Sequence, residues 1–275
     1  MKMKKFDLRF RRMTAIRCLL FAWILSLFCG CEKKAEVYHT LSQLAYDESE
    51  DDNPVVYLRD DNDNSAYAPY LVLASDYNGN VLLLRKNLLP EEMPYKEHDW
   101  GWSGEYGSYY EESTIDAYLN TEFLDSLSSV TRDCIVDSTI EVTDLESYDE
   151  WNYKTHMISR KVFLLSSTEL GVLGMESVTA KEGLPLSYFD GKMYDRKVAG
   201  FADGRKIPYW MRTPDLWETC LVLTIGVTAI GVGSAEVYGG IRPAFCMGKQ
   251  TAVRLSSDIV QGETVYVIEE QDIEI

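Results

Sequence analysis

The amino-acid sequence predicts an α+β domain with an N-terminal β-hairpin, one main amphipathic helix and C-terminal antiparallel strands. Residues 70–84 (YLVLASDYNGNVLLL) set two apolar runs around Asn78-Gly79, a pair that supplies positive φ at both central positions of a type I′ turn. Behind Ser113, the residues Ile115, Tyr118, Leu119, Phe123 and Leu127 recur at helical spacing, so one helix face is buried. From Tyr209 to Met247 the chain opens with YWMRTP, alternates β-branched segments with single glycines, and closes with IRPAFCM. That pattern reads as strands joined by tight turns.

Composition bounds the rest. At 275 residues and 46% hydrophobic content the chain can bury a large core. The formal net charge is -17. Residues 1–30 hold seven of the 27 basic residues and one of the 44 acidic ones, so the remainder carries -23. A surface that acidic repels phosphate backbones, and no nucleic-acid partner is expected.

In chain order, residues 1–30 read as a signal peptide of the lipoprotein type. A basic stretch to Arg17 is followed by the uncharged run CLLFAWILSLFCG, too short for an ordinary transmembrane helix. The end resembles a bacterial lipoprotein signal, in which a small residue precedes the cysteine that is lipidated; here the pair is Gly30-Cys31. Phe28 and Cys29 depart from that pattern, and a retained anchor or ordinary cleavage are the alternatives. Cys31 is therefore the expected lipid attachment site, and the chain is expected to be extracytoplasmic and membrane-anchored, at the cell surface or in the periplasm.

Residues 31–66 are polar and acidic, with DESEDDN and RDDNDN, and read as a solvated tether. Asp60, Asn62 and Asn64 alternate as in an EF-hand, but Ser65 and Leu71 stand where glycine and the closing glutamate are needed, which excludes that motif. The domain is expected over 67–248, with 249–275 as an extension carrying one strand near TVYVI.

Within the domain, HDWGWSGEYGSYY at 98–110 offers Trp100 and Trp102 as a stacking surface for a sugar or peptide, or as packing over the helix. Ser113 caps the helix, with Asp116 three residues on as a variant capping box. CIVDSTIEV (134–142) and KVFLLS (161–166) read as strands, and Ser166 or Ser167 with Glu169 as the start of a short helix running to about Leu173. Residues 174–206, with two Asp-Gly pairs, form an irregular excursion of the kind in which binding residues concentrate.

The succession YLVLASDYNGNVLLL, STIDAYLNTEF, KVFLLSSTE, YWMRTP and GIRPAF resembles a widespread bacterial domain of unknown function found in exported and surface-attached proteins. Its last strands resemble the C-type-lectin-like fold shared with formylglycine-generating enzymes. The resemblance spans about Tyr67 to Met247 and implies a C-type-lectin-like domain. Formylglycine-generating enzymes use a copper-binding cysteine pair; here only Cys220 and Cys246 lie in the corresponding half, in no matching motif.

Function is read from the side chains. Trp210, Arg212 and Arg242 either present a rim to an anionic or carbohydrate ligand, or serve as framework, the ring in the core and each Arg holding loop carboxylates or carbonyls. Cys134, Cys220 and Cys246 pack as small hydrophobes or form at most one disulfide. His39, His98 and His156 are scattered, and no metal cluster, phosphate loop or nucleophile turn is apparent, so no catalytic residue, metal or cofactor is assigned. The expected activity is that of a surface-anchored binding or interaction module, held to the membrane by its N-terminal lipid and taking a glycan or protein ligand. An enzyme on the formylglycine-generating scaffold and a subunit of a surface assembly are the alternatives.

Overall fold

The structure is a computed structural model. It describes residues 39–48, 55–60, 67–97, 107–150, 153–172, 174, 178–190, 194–218, 220–260 and 263–268. All belong to one compact unit, Tyr38–Ile275. Residues 1–30, expected to be a signal peptide, and Cys31, Trp100, Trp102 and His98 lie outside the described residues.

In chain order the strands are β1 (His39–Thr40), β2 (Val55–Leu58), β3 (Ala68–Tyr77), β4 (Asn80–Arg85), β5 (Met93–Pro94), β6 (Ile135–Val136), β7 (Ser138–Thr143) and β8 (Thr155–Arg160). They continue with β9 (Val162–Phe163), β10 (Tyr209–Pro214), β11 (Leu221–Ile225), β12 (Ile230–Ser234), β13 (Tyr238–Gly239), β14 (Ala244–Met247), β15 (Ala252–Val260) and β16 (Glu263–Ile268). Among the described residues the largest sheet has nine strands, ordered β1-β15-β16-β2-β3-β4-β14-β6, with β9 also pairing β14. A three-stranded sheet β10-β11-β12 and the pairs β13-β5 and β7-β8 complete the architecture.

The β3–β4 hairpin is the centre of the large sheet. Its turn has Asn78 at φ 52° and Gly79 at φ 91°, the left-handed geometry that Asn-Gly supplies. Strand β14 lies on the other side of β4, with Phe245 opposite Leu83. Because both faces are covered, Val81 to Arg85 are buried without alternation. The β10 strand is buried along its whole length, and β11–β12 form the next hairpin.

The expected class is corrected: strand accounts for 41% and helix for 16%, spread over several sheets, so the protein is mostly β and the C-type-lectin-like assignment is withdrawn. The main helix is correspondingly broken. Thr114–Tyr118 is α-helical, Leu119–Phe123 is a π turn, and Leu124–Ser126 resumes the α form. Ile115, Leu119, Phe123 and Leu127 are nevertheless all buried. A strict four-residue repeat drifts by about 40° per step in an ideal α-helix. The wider π turn absorbs that drift and keeps the four side chains towards the core. Ser113 caps this segment, accepting from the Asp116 amide at 3.0 Å. The Asp116 carboxylate does not complete the box but pairs with Arg160.

Two further expectations change. Ser166 Oγ accepts from the Glu169 amide at 3.1 Å and the Glu169 carboxylate accepts from the Ser166 amide at 2.9 Å, a reciprocal capping box. It closes a turn over 167–171 and not a helix. Parts of the acidic segment assigned to a tether are built into the sheet: β2 pairs β3, β1 pairs β15, and Asp60 is fully buried. The C-terminal segment enters the same sheet, since β15 and β16 pair with each other and β16 runs parallel to β2.

Candidate functional site

Two arrangements gather charged side chains. The first is interior. Arg212 on β10 grips Glu169 through Nη1–Oε2 at 2.7 Å and Nη2–Oε1 at 2.8 Å, with both side chains at 0% exposure. Its remaining donors reach the carbonyls of Leu164 (2.8 Å) and Glu141 (3.0 Å). Glu182 lies 3.9 Å from Arg212 Nε and accepts from the Thr143 amide, the Thr143 hydroxyl and the Thr213 hydroxyl. Burial pushes the Glu182 carboxyl above its usual range, with Arg212 and the threonine donors opposing. The Tyr77 hydroxyl closes the cluster by donating to Glu169 at 2.6 Å. These groups staple β3, β7 and β10 to the 166–183 segment. A carboxylate pair so enclosed cannot reach a substrate.

The second arrangement is a cleft of about 370 Å³ at one side of the large sheet. Its lining combines Leu71 of β3, Lys86 and Asn87 after β4, Tyr188, the 195–200 segment, and Arg242 just before β14. Backbone hydrogen bonds hold the walls in register: Leu88 donates to Gly200 and Leu89 to Ile241, each at 2.9 Å. Gly200 is required by close approach, because a Cβ there would stand 2.8 Å from the Arg205 carbonyl oxygen. Arg242 is 3% exposed and donates to the carbonyls of Arg85 (2.9 Å), Lys197 (3.1 Å) and Lys86 (3.4 Å) and to the Tyr209 hydroxyl (3.2 Å). Arg196 lies over the rings of Tyr46 and Tyr188, 5.2 and 4.9 Å from their centroids, and donates to the Tyr188 carbonyl at 3.1 Å. Behind the wall, the Lys197 ammonium donates to the Phe189 carbonyl at 3.1 Å; burial lowers its pKa from the usual lysine value, with Asp190 opposing.

The sequence left Arg212 and Arg242 together, either on a ligand-binding rim or as framework. The structure separates them: Arg212 is sealed in the interior cluster, a framework position, while Arg242 is buried at the cleft. Trp210 is core, 2% exposed, with its indole N–H donating to the Met93 carbonyl at 3.1 Å. Arg196, Lys86 and Tyr188 were not singled out. The only signal for two of them was their place in the 174–206 excursion, since a cleft assembled from four distant segments leaves no local pattern.

The remaining candidates are dispersed. Cys134, Cys220 and Cys246 are free thiols, and burial pushes the Cys246 thiol up to about 12, which suits a packed, unreactive side chain. His39 packs edge-on against Tyr266. His156, on β8 opposite Val142, sits between Glu111 (2.7 Å) and Asp144 (3.4 Å). No group of three or more metal-ligating side chains occurs among the described residues.

A family model described as a domain of unknown function, DUF6273, matches residues 78–249, which include every cleft residue named above except Leu71 and Tyr46. No curated protein and no solved structure matches. With more than half of its length matched, from the hairpin turn through β14, the chain belongs to the DUF6273 family.

Proposed function

We propose that this protein is an exported bacterial binding module, anchored outside the cytoplasmic membrane through a lipid on Cys31, whose ligand enters the cleft between Lys86, Arg196 and Arg242. The observation that supports the reading is that the cleft is pre-formed: its volume of about 370 Å³ falls in the range of small-molecule sites, and its walls are fixed by backbone hydrogen bonds and by the Arg196 guanidinium over Tyr188. A pre-organised site loses little entropy on binding, which favours recognition of a free ligand or of the end of a glycan chain.

Two measurements test this. Radiolabelled palmitate should enter the wild-type chain and not Cys31→Ser, which should accumulate as precursor; equal labelling of both removes the anchor. For the cleft, the full chain is presented to a panel of neutral and acidic envelope and host-surface glycans, alongside Asn87→Trp, which fills the cleft from its rim. Retention of a panel member by the wild type and its loss in Asn87→Trp, at unchanged melting temperature, is the expected outcome. Retention equal in both, or none at all, overturns the assignment of the cleft.

A further inference from the structure

Among the described residues three arginines are buried: Arg85, Arg212 and Arg242. The chain supplies a carboxylate to the first two. Arg85 Nε lies 3.0 Å from Asp60, and Arg212 forks onto Glu169. Arg242 is the exception. Its four hydrogen bonds all end on neutral oxygens, one of them at 3.4 Å, and no carboxylate of the described residues lies within ion-pair distance. A guanidinium carries five N–H groups, so one donor on Nη2 is left without an acceptor among the described residues. Removing a charge from water without a counter-charge is costly, and proteins normally match such groups.

The surroundings of Arg242 increase the imbalance. Lys86 is exposed at the rim, and Arg196 lies over two tyrosine rings with most of its donors unused among the described residues; neither forms an ion pair among them. The cleft therefore collects three cations against the single carboxylate of Asp195, in a chain whose formal charge is -17. A local positive field of this kind inside an acidic protein selects its ligand by sign.

Resting on the reading of the cleft as the ligand site, we infer that the ligand carries an oxyanion, a carboxylate or phosphate, which docks on Arg242 and is flanked by Arg196 and Lys86. Arginine presents paired donors that match either group, and Lys86 adds a point charge at the mouth. The neutral or sugar portion of the ligand then lies along Tyr188 and the 198–200 wall.

The test is calorimetric titration of the full chain with sodium phosphate, sodium glucuronate and glucose. Phosphate or glucuronate should bind at one site and glucose should not, and the stronger of the two anions tells a phosphorylated ligand from a uronate. Arg242→Gln risks the fold, because Arg242 also staples three carbonyls, so the informative variants are Arg196→Gln and Lys86→Gln. Each should weaken the anion by roughly tenfold, the loss of one charged hydrogen bond, and Lys86→Gln, whose side chain is exposed, should do so with an unchanged melting temperature. Raising the salt concentration should weaken it further. Anion binding insensitive to both variants would mark an adventitious ion only and overturn the inference. Glucose binding alone, or a neutral glycan retained by the wild type and lost in Asn87→Trp, would keep the cleft as the site and discard the anion. No binding of any probe, together with no glycan retained, would discard both.

Discussion

Replacing Arg212 by Met removes the cation from the most enclosed ionic cluster of the protein while keeping most of the side-chain volume. Glu169 would then stand at 0% exposure with only the Tyr77 hydroxyl and the Ser166 amide to satisfy it, and Glu182 would lose its neighbouring cation. Breaking a buried pair from one side costs about 3–5 kcal/mol, because the remaining charge cannot reach water. For a chain of this size that corresponds to a fall of roughly 10 °C in melting temperature. Thermal and urea unfolding followed by circular dichroism measure it. The pH dependence identifies the cause. In the variant the Glu182 carboxyl, already raised by burial, loses the Arg212 cation that opposes the rise, so the native state binds more protons and gains stability as pH falls towards the unfolded carboxylate range, losing it as pH rises through the folded pKa. The gap between variant and wild type should therefore narrow at pH 5 relative to pH 8. Arg212→Met/Glu169→Met should lose less than the sum of the two single variants, since it leaves neither partner alone. A single variant within about 1 kcal/mol of wild type, or a gap that ignores pH, would refute the argument.

Gly79→Val places a β-branched side chain at φ 91° in a turn with no neighbour within 4 Å, so its cost, about 1–3 kcal/mol in a urea titration, is conformational alone. Trp210→Ala empties a site 2% exposed and should destabilise by roughly 3–5 kcal/mol; a stable variant that lost only ligand binding would contradict the core position of the ring. Asp60→Ala removes the carboxylate 3.0 Å from Arg85 Nε and the acceptor of the Tyr70 hydroxyl, which donates to Asp60 at 2.8 Å, and should cost about 3 kcal/mol by the same unfolding assay, whereas a solvated tether residue would cost nothing.

What the sequence revealed and what it hid divide along the range of the interaction. Asn78-Gly79 and YWMRTP were legible because a turn dipeptide and a β-branched or aromatic run act on their own backbone. The helix was legible as a buried stripe but not as a broken one, since the repeat of four that places Ile115, Leu119, Phe123 and Leu127 fits an α-helix with a slight drift as well as it fits a π turn without one. Asp60 was hidden by its neighbours. An acidic run averages to solvated chain, and nothing within it marks Asp60 as a carboxylate that a partner 25 residues later, Arg85, draws into the core.

The same logic accounts for the cleft and for the charge of the protein. Glu169 and Asp60 read from composition as two of 44 acidic residues, yet each is the counter-ion of one buried arginine. The acidity of this chain is in part an interior property, set by the need to neutralise the arginines that tie strands to loops. That need was met at Arg85 and at Arg212 by carboxylates from turns or loops that fold back over the sheets. At Arg242 the segments that fold back bring carbonyls, a phenol and two further cations, Arg196 and Lys86. A chain with this excess of carboxylates would have had little difficulty placing one there. Its failure to do so at Arg242, the one buried arginine of the described residues that borders the cleft, is the contrast on which the proposed binding position rests, and no single stretch of sequence contains it.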